Sequence, residues 1–158
     1  MGLDATVYCD CFEKGRLRTA PMAEWHVYID DYGGRSARTG ALEKDLLFDQ
    51  WNLTACQHES GVLVNYYIGN TAMVGFLRQS LSRRSELFPL ILSKIIYNGI
   101  HAGDFIAAAD VCLFEPELRG LSDFHCDDPS DDERIRHFQK QLRELVQAAM
   151  ALHKPISF

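Results

Sequence analysis

Leu3-Asp4-Ala5-Thr6-Val7-Tyr8-Cys9-Asp10-Cys11-Phe12 alternates without a break: Leu3, Ala5, Val7, Cys9 and Cys11 fall on one side, their neighbours on the other. A period of two is that of an extended strand, and the first set suits a core face. Working outward, Trp25, Val27 and Ile29 alternate with His26, Tyr28 and Asp30 in a second short strand. Val62, Val64, Tyr66 and Ile68 form one face of a third, behind the turn signal Ser60-Gly61. The N-terminal half therefore reads as β.

After Gly69 the period lengthens to that of a helix. Asn70 is a good N-cap, and Met73, Phe76, Leu77 and Leu81 follow at helical spacing. Phe88-Pro89 opens another helix that is apolar almost all round through Leu90, Ile91, Leu92, Ile95 and Ile96, which predicts burial on most sides, with Gly99 as its stop. Ser130-Asp131-Asp132-Glu133 matches a capping box. Ile135, Phe138, Leu142, Leu145, Ala149 and Leu152 then recur at three- and four-residue steps, opposite Arg136, Lys140, Arg143 and Gln147, and the helix ends near Pro155. Strands first and helices later predict an α+β protein of one domain, 1–158, with a small antiparallel sheet from the N-terminal half packed by the C-terminal helices. At 158 residues and 47% hydrophobic, the chain is long enough to bury a core of its own.

Between the second and third strands, 30–40 carries Gly33, Gly34 and Gly40 and almost no large apolar residue, and reads as a mobile loop. Its arginines, Arg35 and Arg38, are arranged in neither a P-loop nor a dinucleotide fingerprint. Leu42 to Trp51 reads as a short helix or irregular packing.

Charge is distributed unevenly. The formal net charge is −6, and six acids lie in one stretch: Asp123, Asp127, Asp128, Asp131, Asp132 and Glu133. Without them acids and bases balance at 16 each. Direct nucleic-acid binding needs the opposite sign, so it is disfavoured, while a basic protein partner suits the segment. The helix dipole accounts for the last three of these acids but not for Asp127 and Asp128.

Five cysteines, an odd number, with no basic-then-apolar leader in the first residues, predict free thiols in a reducing cytoplasm. No window approaches the roughly 18 apolar residues of a membrane span. Cys9 and Cys11 share a strand face; they could form a soft-metal or redox pair, but two small hydrophobes in a core face is the preferred reading. Cys56-Gln57-His58, with His101, Asp104, His125 and Cys126, supplies enough ligand types for zinc, yet no Cys-x-x-Cys or His-x-x-x-His pair is present. No metal or other cofactor is therefore expected, and His58, His101 and Asp104 stand as the weak metal candidates. In His101-Ala102-Gly103-Asp104, Asp104 could orient His101 as a general base, but no nucleophile motif accompanies it.

One resemblance spans most of the chain. It runs through Met1-Gly2-Leu3-Asp4, Gly69-Asn70, Phe76-Leu77-Arg78, Phe88-Pro89 and Tyr97-Asn98-Gly99. It continues through His101 to Asp104, Leu113-Phe114-Glu115-Pro116-Glu117-Leu118, Leu121 and the closing Pro155-Ile156-Ser157-Phe158. This order resembles a group of small bacterial cytoplasmic proteins that includes immunity-protein-like members of polymorphic or contact-dependent toxin systems. The resemblance implies a non-catalytic, stoichiometric inhibitor of a cognate toxin domain. On that reading Asp127, Asp128, Asp131 and Asp132 contact a basic cleft, with Tyr32 and Arg35 as a second contact. The alternative is a small metal-dependent hydrolase or transferase using His58, His101 and Asp104. A third reading is a homodimer joined through the apolar helix at 88–97.

Overall fold

A computed structural model describes residues 2–97 and 104–158. The alternating N-terminal stretch forms β1 (Gly2–Tyr8), the second strand is β2 (His26–Ile29), and β3 (Arg35–Arg38) follows it. Then come helix α1 (Leu42–Thr54), strand β4 (Val62–Asn70) and helix α2 (Thr71–Ser82). The C-terminal part contributes β5 (Phe105–Ile106), α3 (Glu115–Ser122), α4 (Asp132–Leu152) and β6 (Ile156–Ser157). The fold is α+β, a four-stranded antiparallel sheet of order β4-β1-β6-β5 packed against helices, as the sequence predicts.

Three features differ from expectation. The sheet is not drawn from the N-terminal half alone, because β6 from the chain's last residues pairs with β1 (Thr6 opposite Ser157) and carries β5 beyond it. The stretch 30–40 is not a loop throughout: Arg35–Arg38 pairs with β2 in a separate hairpin, Ile29 opposite Arg35 and His26 opposite Arg38. Asp30 builds the turn by accepting from the amides of Tyr32 and Gly34 and the hydroxyl of Ser36, and Gly33 takes the positive φ (83°) that the turn needs. Finally, β1 stops at Tyr8, so Cys9 and Cys11 lie on the turn beyond the strand rather than on its face.

The core forms where the sequence places it. Leu3, Ala5 and Val7 of β1 are buried, and Ile135, Phe138, Leu142, Leu145 and Ala149 of α4 close over the sheet. Asn70 caps α2 by accepting from the amide of Met73 at 2.9 Å. The apolar stretch after Phe88 is buried as expected, with Phe88, Ile91, Ile95 and Ile96 fully enclosed. The protein's own core thus covers these four residues, while Tyr97 at the end of the stretch stays exposed. The hydrogen-bond pattern there is π-helical over Ile91–Ile95. Gly99 and His101 lie outside the described residues. The capping box also differs: the start of α4 is preceded by a 3-10 turn, Pro129–Asp131, whose cap is Asp128 accepting from the amide of Ser130 at 2.9 Å. Among the described residues no helix is long and apolar enough to cross a membrane.

Candidate metal centre

The register of β1 against β4 decides the site. Val7 stands opposite Val64 and Tyr8 opposite Val62, so the end of β1 and the approach to β4 meet at one end of the sheet. The amide of Cys9 donates to the carbonyl of Gly61 at 2.8 Å and locks the two segments together. Cys9 and Cys11 on one segment then face Cys56 and His58 on the other, 47 residues away in sequence, and the four ligand atoms all lie within 4.8 Å of one another. Among the described residues this is the one grouping of three or more such ligands.

Two of the ligand–ligand distances match the edges of a coordination tetrahedron, and all four atoms lie within 4.8 Å of one another. A tetrahedron with metal–sulfur bonds of about 2.3 Å and a metal–nitrogen bond of about 2.0–2.1 Å has edges of about 3.8 Å (S to S) and about 3.5–3.6 Å (S to N). Cys9 Sγ lies 3.8 Å from Cys56 Sγ, and Cys11 Sγ lies 3.5 Å from His58 Nδ1. Three soft sulfurs and one imidazole are a zinc donor set, and four protein ligands fill the tetrahedron.

Local structure holds each ligand in place. Asp10, between the two thiols, points outward to Lys14 and to Arg16 (2.6 Å). The amide of Arg16 returns to the carbonyl of Cys11 at 2.8 Å, with Gly15 at φ 62° making the tight turn. On the other side, Glu59–Gly61 is a single 3-10 turn, with Gly61 at φ 76°. The Nε2 of His58 sits 3.4 Å from the side-chain amide of Gln57, which leaves Nδ1 facing the thiols. A cleft of about 320 Å³, lined in part by Arg16, Cys11 and Cys56, supplies an entry path from solvent.

Arg35 completes the electrostatics. Zinc held by three thiolates and a neutral imidazole carries one net negative charge, which is costly to bury unless paired. Arg35 is 8% exposed, donates from Nη1 to Cys56 Sγ at 3.4 Å and from Nη2 to the carbonyl of Asn52 at 3.0 Å. Gly61 makes room for it: a Cβ there would stand 3.0 Å from the guanidinium. Burial, and then the neighbouring thiols Cys9 and Cys56, push the Cys11 thiol up to about 12. Burial also works to raise Cys56, but the backbone of His58 and the charge of Arg35 outweigh it, and Cys56 lies below the ordinary thiol value. A cation placed among these sulfurs would favour the thiolate at each of them.

The remaining candidates are dispersed. Arg35, expected at a partner contact, is turned inward to the thiols, whereas Tyr32 is exposed and makes an edge-to-face contact with Phe105 at 5.6 Å. Asp104 precedes β5 and accepts from the hydroxyl of Tyr97; it is not part of the ligand cluster, and His101 lies outside the described residues. Among the described residues, only His58 of the grouping His58, His101 and Asp104 belongs to the ligand cluster. In the acidic segment, Asp132 accepts from the amide of Cys126 (2.7 Å) and faces His125 (3.0 Å), which together with that amide holds its carboxyl below the ordinary range. Asp131 pairs with Arg134, Asp128 caps the 3-10 turn, and Asp127 reaches Arg83 while staying largely exposed. Asp127 and Asp128 edge a groove of about 660 Å³ whose walls include Phe76, Leu87, Phe124 and Arg84.

No family model matches the chain, and comparison with curated proteins and with solved structures finds no match.

Proposed function

We propose that this is a non-catalytic binding protein in which one structural zinc ion, held by Cys9, Cys11, Cys56 and His58, ties the segment after β1 to the segment before β4. The observation that carries the reading is the convergence of three thiols and one imidazole within 4.8 Å of one another, with Arg35 beside them to balance the charge. Four protein ligands leave no open position for water or substrate, so the centre serves the fold rather than hydrolysis. Elemental analysis of protein purified without added metal, under reductant, should find about one zinc per chain. Cobalt loaded in its place should show thiolate charge-transfer absorption and the d–d bands of a tetrahedral site. Protein free of transition metal that also fails to take up zinc or cobalt would remove the reading.

What the protein binds is a second question, and one observation favours a protein partner. Asp127 and Asp128 are exposed on the edge of a groove with aromatic and aliphatic walls, the arrangement of an apolar contact with a charged rim. Together with the resemblance to immunity proteins, this supports a cognate toxin domain with a basic surface. Asp131 and Asp132 are half-buried, whereas Asp127 and Asp128 stay exposed although one pairs with Arg83 and the other caps the 3-10 turn, so these two carry the steering charge. A partner captured on the tagged protein should associate more slowly, and with weaker salt dependence, after Asp127→Lys and Asp128→Lys. Unchanged association kinetics would place the contact elsewhere.

A further inference from the structure

The chain's two tryptophans lie together, away from the main core. Trp25 meets Phe48 edge-to-face at 5.7 Å and Trp51 at 6.2 Å, and Phe48 meets Trp51 at 5.7 Å. This cluster joins the β2–β3 hairpin to α1, and its buried members Trp25 and Phe48 do not belong to the hydrophobic cluster that β1, β4 and the C-terminal helices share. The segment 12–61 is thus a lobe with a small core of its own. That core is poorly satisfied. Of five buried side-chain polar atoms without a hydrogen-bond partner among the described residues, four belong to it: Trp25 Nε1, Trp51 Nε1, Asn52 Oδ1 and Arg35 Nε. Unpaired buried polar groups oppose folding, and a segment this short has little apolar burial to offset them.

The four metal ligands sit at both ends of this lobe. Cys9 and Cys11 stand where the chain leaves the sheet, and Cys56 and His58 where it returns. Arg35, from inside the hairpin, reaches Cys56 and the carbonyl of Asn52 at the end of α1. Elsewhere the lobe meets the rest of the protein at its edges: Glu13 with the buried Lys154, Tyr32 against Phe105, and the hairpin turn at Gly33 and Gly34 against Pro155 and Tyr8. Closing the base of the segment with a metal removes much of its unfolded freedom and anchors Arg35 at once.

We propose that zinc is the folding condition of the 12–61 lobe alone, so that metal loss opens the hairpin and α1 while the sheet and the C-terminal helices stay folded. The inference rests on the zinc reading above. It makes zinc supply a regulator of one part of the surface: α1 exposes Leu42, Leu46, Leu47 and Leu53, and that face exists only while the helix is held.

Both tryptophans report on this lobe and on nothing else, which makes the test direct. Zinc-loaded full-length protein is stripped with a chelator at neutral pH under reductant, and metal content, tryptophan emission, far-UV circular dichroism and tryptic cleavage are followed together. The expected result is a red shift of the emission and about tenfold faster cleavage at Lys14, Arg16, Arg18, Arg38 and Lys44, with most of the helical signal kept, all reversed by one equivalent of zinc. Cys11→Ser protein should resemble stripped wild type, and Cys112→Ser protein, changed at an exposed thiol, should not. Unshifted emission after verified zinc loss overturns the inference while leaving the zinc site standing. Simultaneous loss of emission and helical signal overturns it too, because the lobe would then share one transition with the core. Protein that never takes up zinc instead overturns the reading on which the inference rests.

Discussion

Changing Cys11 to Ser should weaken zinc binding by roughly 10²–10³-fold, since a structural zinc site contributes about 10–16 kcal/mol over four ligands and each tenfold corresponds to about 1.4 kcal/mol. Cys11 is the more enclosed of the two thiols on the β1 side, at 1% exposure against 5% for Cys9. Serine keeps the shape but offers an oxygen that stays protonated, and a hard donor in a soft set. Arg35→Met keeps all four ligands but removes the balancing charge together with its hydrogen bonds to Cys56 and to the carbonyl of Asn52. Its loss should be smaller, about 10–100-fold, as is usual for an outer-shell partner. Competition against a chromophoric zinc chelator gives both numbers. Equal, negligible effects from the two substitutions would mean that any zinc bound sits elsewhere. The pH dependence has a fixed sign: thiols must release protons to bind the metal, so affinity falls as pH falls.

Much of the fold is visible in the sequence because it is local. The alternation of Leu3, Ala5 and Val7 and the helical spacing from Ile135 to Ala149 each describe one face of one element, and those faces are buried. Pairing is not local, and there the reading fails. Arg35–Arg38 has no apolar alternation; it is a strand because β2 supplies backbone partners and Asp30 builds the turn. The two-residue strand β6 is too short to show any period. The metal centre was hidden for the same reason. Cys-x-Cys and Cys-x-His are each half of a site, without the closer ligand spacing of familiar zinc motifs, and only the register of β1 on β4 brings the halves together. A usable signal did exist: two ligand pairs of equal spacing, one just after the first strand and one just before its partner. Arg35 carried no signal at all, since its role depends on the void left by Gly61.

The second large effect is expected in the core, at Glu117, a carboxylate only 4% exposed. It sits on α3 and accepts from the amides of Leu90 and Ile91, both at 2.8 Å, where the chain enters the π-helical stretch. Those amides belong to the first turn, which has no helical acceptor for them, and α3 supplies one from outside. Glu117→Ala would leave two N–H groups unpaired, one buried and one part-buried, at about 1–3 kcal/mol each, so a loss of about 2–6 kcal/mol is expected in urea unfolding followed by circular dichroism. Burial raises the carboxyl above its ordinary value, against the smaller opposing pull of the two amides. The folded protein therefore holds this proton more tightly than the unfolded chain. Its contribution to stability is fullest below the ordinary Glu range, and it is lost as pH rises through the raised folded value. Glu117→Gln removes that titration and turns an N–H₂ towards donors, so it should flatten the acid-side pH profile while still destabilising. Wild-type stability in either variant would show that these two hydrogen bonds do not hold the π-helical stretch against α3.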